Sequence, residues 1–218
     1  MRMRKKVNLI PRMERCSALL ENLPEENCGA WLKKFPKFKE LRLELGCGKG
    51  GFTVKTAKNE PDVLFVAVEK VPEALVVAME RASDEGISNV RFLERDAADL
   101  LSYFAPGEVS RIYINFPDPW HKKRAAKRRL TAPGFLSIYE KLLPPGGEIW
   151  FKTDNLPLFD WSCEQLEACG WQQKEHTHDL HKNGVCGVMT DYETKFHELG
   201  QKINRVVAIK NETDILER

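Results

Sequence analysis

No apolar run in this sequence approaches the roughly 18 residues that a membrane-spanning helix needs, which excludes a spanning segment. The basic start, residues 1–6, leads into Val7-Asn8-Leu9-Ile10-Pro11-Arg12 and not into the apolar stretch of a signal peptide. A soluble protein of the cytoplasm, with no membrane partner, is therefore expected. Cysteine pairing motifs are missing too: Cys16, Cys28, Cys47, Cys163, Cys169 and Cys186 contain no Cys-x-x-Cys. Without an export signal they read as reduced thiols, and no disulfide is expected. His176, His178 and His181 crowd together, yet no Cys or Glu follows at zinc-ligand spacing, so surface or edge-strand histidines and no metal are the expectation. Repeats and low-complexity tracts are absent as well.

What is present is local charge. The chain of 218 residues carries a formal net charge of only +2, but residues 1–15 set six cations against Glu14, and residues 115–130 set six against Asp118. Each patch is worth net +5, so the remainder carries net −8. Such a distribution suits a polyanion grip on an otherwise acidic, soluble body. With 42% hydrophobic residues the length supports one sizeable core with a small appended piece.

From residue 41, short β-branched and aromatic runs alternate with helical stretches, the pattern of an α/β domain with a mostly parallel, seven-stranded sheet and helices on both faces. Strands are predicted at Leu41 to Leu45, Val63 to Val68, Val90 to Leu93, Arg111 to Asn115, Glu148 to Lys152, Gln172 to Thr177 and Arg205 to Lys210. Helices are predicted near Gly51 to Lys58, Pro72 to Glu85, Ala97 to Phe104, Pro133 to Leu142 and Leu156 to Ala168. The second is clearest, with Pro72 in its first turn, an Ala74, Leu75, Ala78, Met79, Ala82 stripe and Gly86 beyond its end. Residues 1–40 read as a basic N-terminal extension with one helix around Arg12 to Asn22, and residues 41–218 as the main domain.

Three acids fall at successive strand ends. Leu43-Glu44-Leu45-Gly46-Cys47-Gly48-Lys49-Gly50-Gly51 places a glycine-rich turn between the first strand and the first helix, where an open α/β sheet binds nucleotide-like ligands. Glycines 46, 48 and 51 satisfy Gly-x-Gly-x-x-Gly, a weak signal alone. Glu44 discriminates, because an acid there would repel a pyrophosphate and suit a ligand bearing an amino group and a sulfonium. Glu69 stands where an acid accepts from ribose hydroxyls, and Asp96 can accept from an adenine amino group or cap the following helix. Cys47 lacks a histidine to activate it and reads as a packed thiol.

The other dense stretch is Asn115 to Arg129. Pro117 and Pro119 stiffen the turn after Ile112-Tyr113-Ile114 by pushing Phe116 and Asp118 out of the helical region. Asp118 is thereby aimed, beside six cations that suit phosphates. Phe116 and Trp120 could stack on an unpaired base, and Trp120 equally suits packing on the sheet.

These residues, Glu44-x-Gly-x-Gly, Glu69, Asp96, Phe116-Pro117-Asp118-Pro119-Trp120, His121-Lys122-x-Arg124 with Lys127-Arg128-Arg129, Lys152-Thr153-Asp154 and Thr194-Lys195-Phe196, resemble in order the bacterial tRNA (guanine-N7-)-methyltransferases. The resemblance runs from about residue 41 to 210. It implies a class I, Rossmann-like methyltransferase that moves a methyl group from S-adenosylmethionine to N7 of guanosine 46 in the variable loop of tRNA, leaving S-adenosylhomocysteine. It further implies that Glu44, Glu69, Asp96 and Asp118, with Gly46 and Gly48, line the cofactor site, Asp118 being catalytic. Lys122, Asp154, Thr194, Lys195, Phe196 and His197 would contact substrate, and Arg124, Lys127, Arg128 and Arg129 the RNA. His197 departs from the pattern, standing where relatives often place an acid. Monomer and homodimer both stay open. Two other readings remain: an NAD-dependent oxidoreductase, which Glu44 and the cationic run oppose, and a non-catalytic RNA-binding module, which needs no adenosine cradle.

Overall fold

The structure, a computed structural model, describes residues 7–210. The chain divides into two compact units, residues 1–104 and 105–218, inside the stretch that the sequence suggests as one domain.

In the first unit β1 (Glu40–Leu45), β2 (Val63–Val68) and β3 (Val90–Leu93) pair in parallel, β2 in the middle. Every residue of β2 is buried, which is why that run is continuously apolar, and Leu41 to Leu45 of β1 are buried as well although their sequence alternates, Leu-Arg-Leu-Glu-Leu. Arg42 is an exception in type, and its buried guanidinium is met by Glu40 and Glu60 at 2.5 and 2.6 Å. Helix α3 (Gly51–Asn59) follows the glycine turn and α4 (Pro72–Asp84) the second strand, the latter burying its Ala74, Leu75, Ala78, Met79, Ala82 stripe as expected.

Residues 7–40 pack into this unit and do not stand off it. The helix expected around Arg12 to Asn22 is instead α1 (Leu9–Arg15) followed by a 3₁₀ turn, Ser17–Leu19. The helix stops early because the chain must extend: Leu20 bridges Phe92, and the Glu21 N–H donates to the Phe92 carbonyl at 3.0 Å, covering the open edge of β3. Arg12 grips Glu80 of α4 at 2.5 Å. A short α2 (Trp31–Lys34) buries Trp31 completely against Phe104, its indole N–H donating to the Tyr103 carbonyl at 2.9 Å. Residues 97–102 form a 3₁₀ helix where an α-helix to Phe104 was expected. Arg2, Arg4, Lys5 and Lys6 of the first basic patch lie outside the described residues.

In the second unit β4 (Arg111–Asn115) pairs in parallel with β5 (Glu148–Thr153). β7 (Asn204–Ile209) then returns antiparallel between β5 and β6 (Gln172–Thr177). Helices α5 (Pro133–Leu142) and α6 (Leu156–Ala168) have the expected limits, and Phe159 of α6 stacks on Phe151 of β5 at 6.1 Å. Between β6 and β7 the chain forms a further helix, α7 (Asp191–Glu198), which has no counterpart among the helices expected from sequence.

Candidate active site

In the first unit the end of β1 is tied to the end of β2. The Gly46 and Cys47 N–H groups both donate to the Val68 carbonyl, at 2.8 and 3.3 Å. Glu69 then folds over the turn: one carboxylate oxygen accepts from the Gly48 N–H at 3.0 Å and the other from the Val71 N–H at 2.9 Å. A carboxylate offers about four lone-pair positions, so Glu69 is oriented by these bonds and still has capacity for hydroxyl donors. Gly50 caps α3 with φ 73, and a Cβ there would lie 2.6 Å from that of Ala78, so only glycine lets the turn sit against α4.

Glu44 is 3% exposed and accepts a short hydrogen bond from the Thr53 hydroxyl of α3. Asp96 is exposed, accepts from the Ala98 N–H at 3.0 Å as an N-cap, and has Lys70 within 3.7 Å. The cap is compatible with a second acceptor role for its remaining lone pairs. Cys47 is buried, and burial, followed by the charges of Glu44 and Glu69, pushes its thiol well above the ordinary range. A thiol so held is not a nucleophile at neutral pH. Beside Gly46 and Gly48 an added Cβ would meet nothing within 4 Å. A cradle of oriented carboxylates next to open glycine backbone fits an adenosine ligand carrying cationic groups better than a pyrophosphate.

In the second unit the turn after β4 is held more tightly than its prolines alone require. Phe116 adopts φ 50, outside the right-handed helical region as expected before Pro117, and Trp120 adopts φ 43. Left-handed backbone at a non-glycine residue costs roughly 1–2 kcal/mol. Phe116 is compensated by its N–H bond to the Lys152 carbonyl at 2.8 Å and by packing of its ring on Tyr192 at 5.1 Å. Arg129 ties down the other end, donating to the Pro119 and Trp120 carbonyls at 2.9 and 3.3 Å while its guanidinium lies 4.3 Å over Trp161. The Trp120 ring is covered by Arg128 at 4.0 Å. Asp118, His121, Lys122, Arg124, Lys127 and Arg128 are exposed, several of them along a 3₁₀ helix, Lys123–Arg128.

The segment Thr194 to His197 lies on α7, whose first turn is pinned by a capping box: the Thr190 hydroxyl accepts from the Glu193 N–H, and the Glu193 carboxylate from the Thr190 N–H. Glu193 has no exposed surface and also binds Lys152 of β5 at 2.6 Å and His181 at 2.9 Å. His181 is thus buried, contrary to the surface or edge position expected, because its partner arrives twelve residues later on an unforeseen helix. Its Nδ1 accepts from the Cys186 N–H at 3.1 Å, so Nε2 carries the hydrogen directed at Glu193. His176 and His178 are exposed and touch each other and Phe159.

Asp154 is half-buried and receives the Tyr192 hydroxyl at 3.4 Å, and the Phe196 ring lies 4.2 Å from that of Tyr192. The His197 ring is 4.9 Å from His181, Thr194 donates to the Thr190 carbonyl, and Lys195 is exposed. Tyr192 and Glu193 were not singled out from sequence. The signal for both was the Thr190-x-x-Glu193 spacing of a capping box.

A family model described as "Putative methyltransferase" matches residues 39–206. A protein from Geobacillus kaustophilus named tRNA (guanine-N(7)-)-methyltransferase is 43% identical over 86% of this chain and 87% of its own length. One of the same name from Clostridium tetani is 41% identical over 95% and 99%. The chain belongs to the tRNA (guanine-N(7)-)-methyltransferase family. Its fold is also that of a 16S rRNA (adenine(1408)-N(1))-methyltransferase from Catenulisporales acidiphilia solved with cosubstrate SAM, at TM-score 0.60 and 14% identity over 87% of this chain and 91% of that one. The chain thus has the α/β, Rossmann-like fold of class I methyltransferases that its sequence suggested. For this member of the tRNA (guanine-N(7)-)-methyltransferase family, no helix among the described residues is long and apolar enough to cross a membrane. Nor is any group of three or more His, Cys, Asp or Glu among those residues arranged to hold a metal ion.

Proposed function

We propose that this methyltransferase uses S-adenosylmethionine to methylate N7 of a guanosine in the variable loop of tRNA. The observation that carries the cofactor assignment is the buried, oriented Glu44 carboxylate at a strand end, beside a glycine turn that Glu69 closes. Glu44 would hold the cationic amino-acid end, Glu69 the ribose hydroxyls and Asp96 the adenine amino group. When bound, S-adenosylmethionine supplies an electrophilic methyl group on a sulfonium, which the N7 lone pair can accept without loss of a proton.

The chain then has no base to provide, and its task is alignment, worth up to about 7–11 kcal/mol in favourable intramolecular systems. Asp118 cannot donate to N7, itself an acceptor. Its role is to accept from donors on the guanine edge or the cofactor and to favour the positive charge that passes to the purine. Lys122, Asp154 and Thr194 to His197 would position the acceptor nucleotide, while Arg124, Lys127, Arg128 and Arg129 serve the tRNA backbone, the last through the turn it holds.

The test is to incubate purified protein with S-adenosylmethionine and unmodified tRNA and map the modified base. 7-Methylguanosine in the variable loop is expected, and a methyl group on any other atom, or none, would reject the proposal. Glu44→Ala should abolish cofactor binding with tRNA binding intact, the outcome that a non-catalytic RNA-binding module would not give.

A further inference from the structure

Resting on the function proposed above, we propose that Tyr192 is the platform on which the target guanine stacks, with the neighbouring Asp154 carboxylate facing its donor edge. Three rings of the second unit pack into a tilted cluster: Phe116 from the strained turn, and Tyr192 and Phe196 from one face of α7, with the Phe116 and Phe196 rings inclined to that of Tyr192 by 47 and 30° at centroid distances of 5.1 and 4.2 Å. Phe116 and Phe196 are half-buried, whereas Tyr192 remains 45% exposed.

The cluster is also rigid. Glu193 locks the first turn of α7 to Lys152, His181 and Thr190, so the adjacent Tyr192 is presented in a fixed pose and loses little freedom when a base arrives. Its hydroxyl reaches Asp154 at 3.4 Å, which joins the ring to a carboxylate able to accept from guanine N1–H and its exocyclic amine. Guanine methylated at N7 is cationic, and a cation over an aromatic face is held further by the ring quadrupole. The ligand class is therefore an unstacked purine with donors on its Watson–Crick edge, as proteins reading unpaired RNA bases commonly take.

The experiment compares wild type, Tyr192→Leu and Tyr192→Phe for steady-state tRNA methylation and for S-adenosylmethionine binding by calorimetry. Tyr192→Leu should lower kcat/KM for tRNA by about 10- to 100-fold, the scale of one base–aromatic stack, with cofactor Kd unchanged. Tyr192→Phe, which keeps the ring, should restore most of that activity. The inference is overturned if Tyr192→Leu matches wild type, if Tyr192→Phe falls as far as Tyr192→Leu, or if cofactor binding weakens in step with the rate. A wild-type protein that methylates no tRNA removes the proposed function itself, whereas an active wild type with an equally active leucine variant removes only this inference.

Discussion

Asp118 has a proposed role that moves no proton. It is exposed on a turn that holds two aromatic residues, Phe116 and Trp120, in left-handed backbone, so its direction is set by them and not by its own burial. Asp118→Asn keeps the shape and removes the charge. The single-turnover rate at saturating substrates is expected to fall by about 10- to 100-fold, and a rate equal to wild type would exclude the electrostatic role. Since N7 needs no base, no ascending limb in the pH–rate profile near neutrality should disappear with that substitution; one that does would make Asp118 a base after all.

At the scale of elements, two junctions position the candidate site. The glycine turn depends on α3 starting hard against α4, and Gly50→Ala would force both left-handed backbone and a clash with Ala78. A loss of about 2–5 kcal/mol in denaturant unfolding is expected, and a loss under about 1 kcal/mol would show that the turn relaxes. The other junction is Glu193, which pins α7 to β5. Glu193→Ala removes the carboxylate beside the buried Lys152 ammonium, and a cost of about 3–5 kcal/mol is expected. Double substitution with Lys152→Met should recover much of it, and additive losses would argue against a direct pair. These junctions also explain what sequence could and could not reveal. Strands such as Val63 to Val68 were legible because a buried apolar run bounded by turns leaves no other reading, and α4 because its apolar stripe keeps helical spacing, whereas β6, also expected, is a polar and largely exposed strand. Helix α7 was not, since its only buried residue is the charged Glu193 and its one apolar pair, Tyr192 and Phe196, is too short a stripe to mark a helix. His181 was misplaced for the same reason, its partner lying on that helix. For Phe116 the dipeptide rule excludes the right-handed region, but the hydrogen bond to Lys152, far along the chain, selects the left-handed alternative. The acids Glu44, Glu69 and Asp96 were readable by type and position, whereas the closure of the turn by Glu69 and the burial of Glu44 required coordinates.

For the whole molecule, a nearly neutral formal charge conceals strongly unequal regions, and tRNA affinity should follow the local patch and not the total. Neutralising the exposed Arg124, Lys127 and Arg128 together should flatten the dependence of log K on log salt by about 0.7 for each phosphate no longer engaged. An unchanged slope would make the run a solvated surface. Arg129 does not belong in that set, because its guanidinium is committed to the Pro119 and Trp120 carbonyls and to Trp161. A lysine there would preserve every electrostatic sum yet could not bridge two oxygens and lie flat on an indole at once. Equal valence is then no safeguard: at this position the protein uses a guanidinium as a bracket, and swapping one cation for another would loosen the bend that carries Asp118.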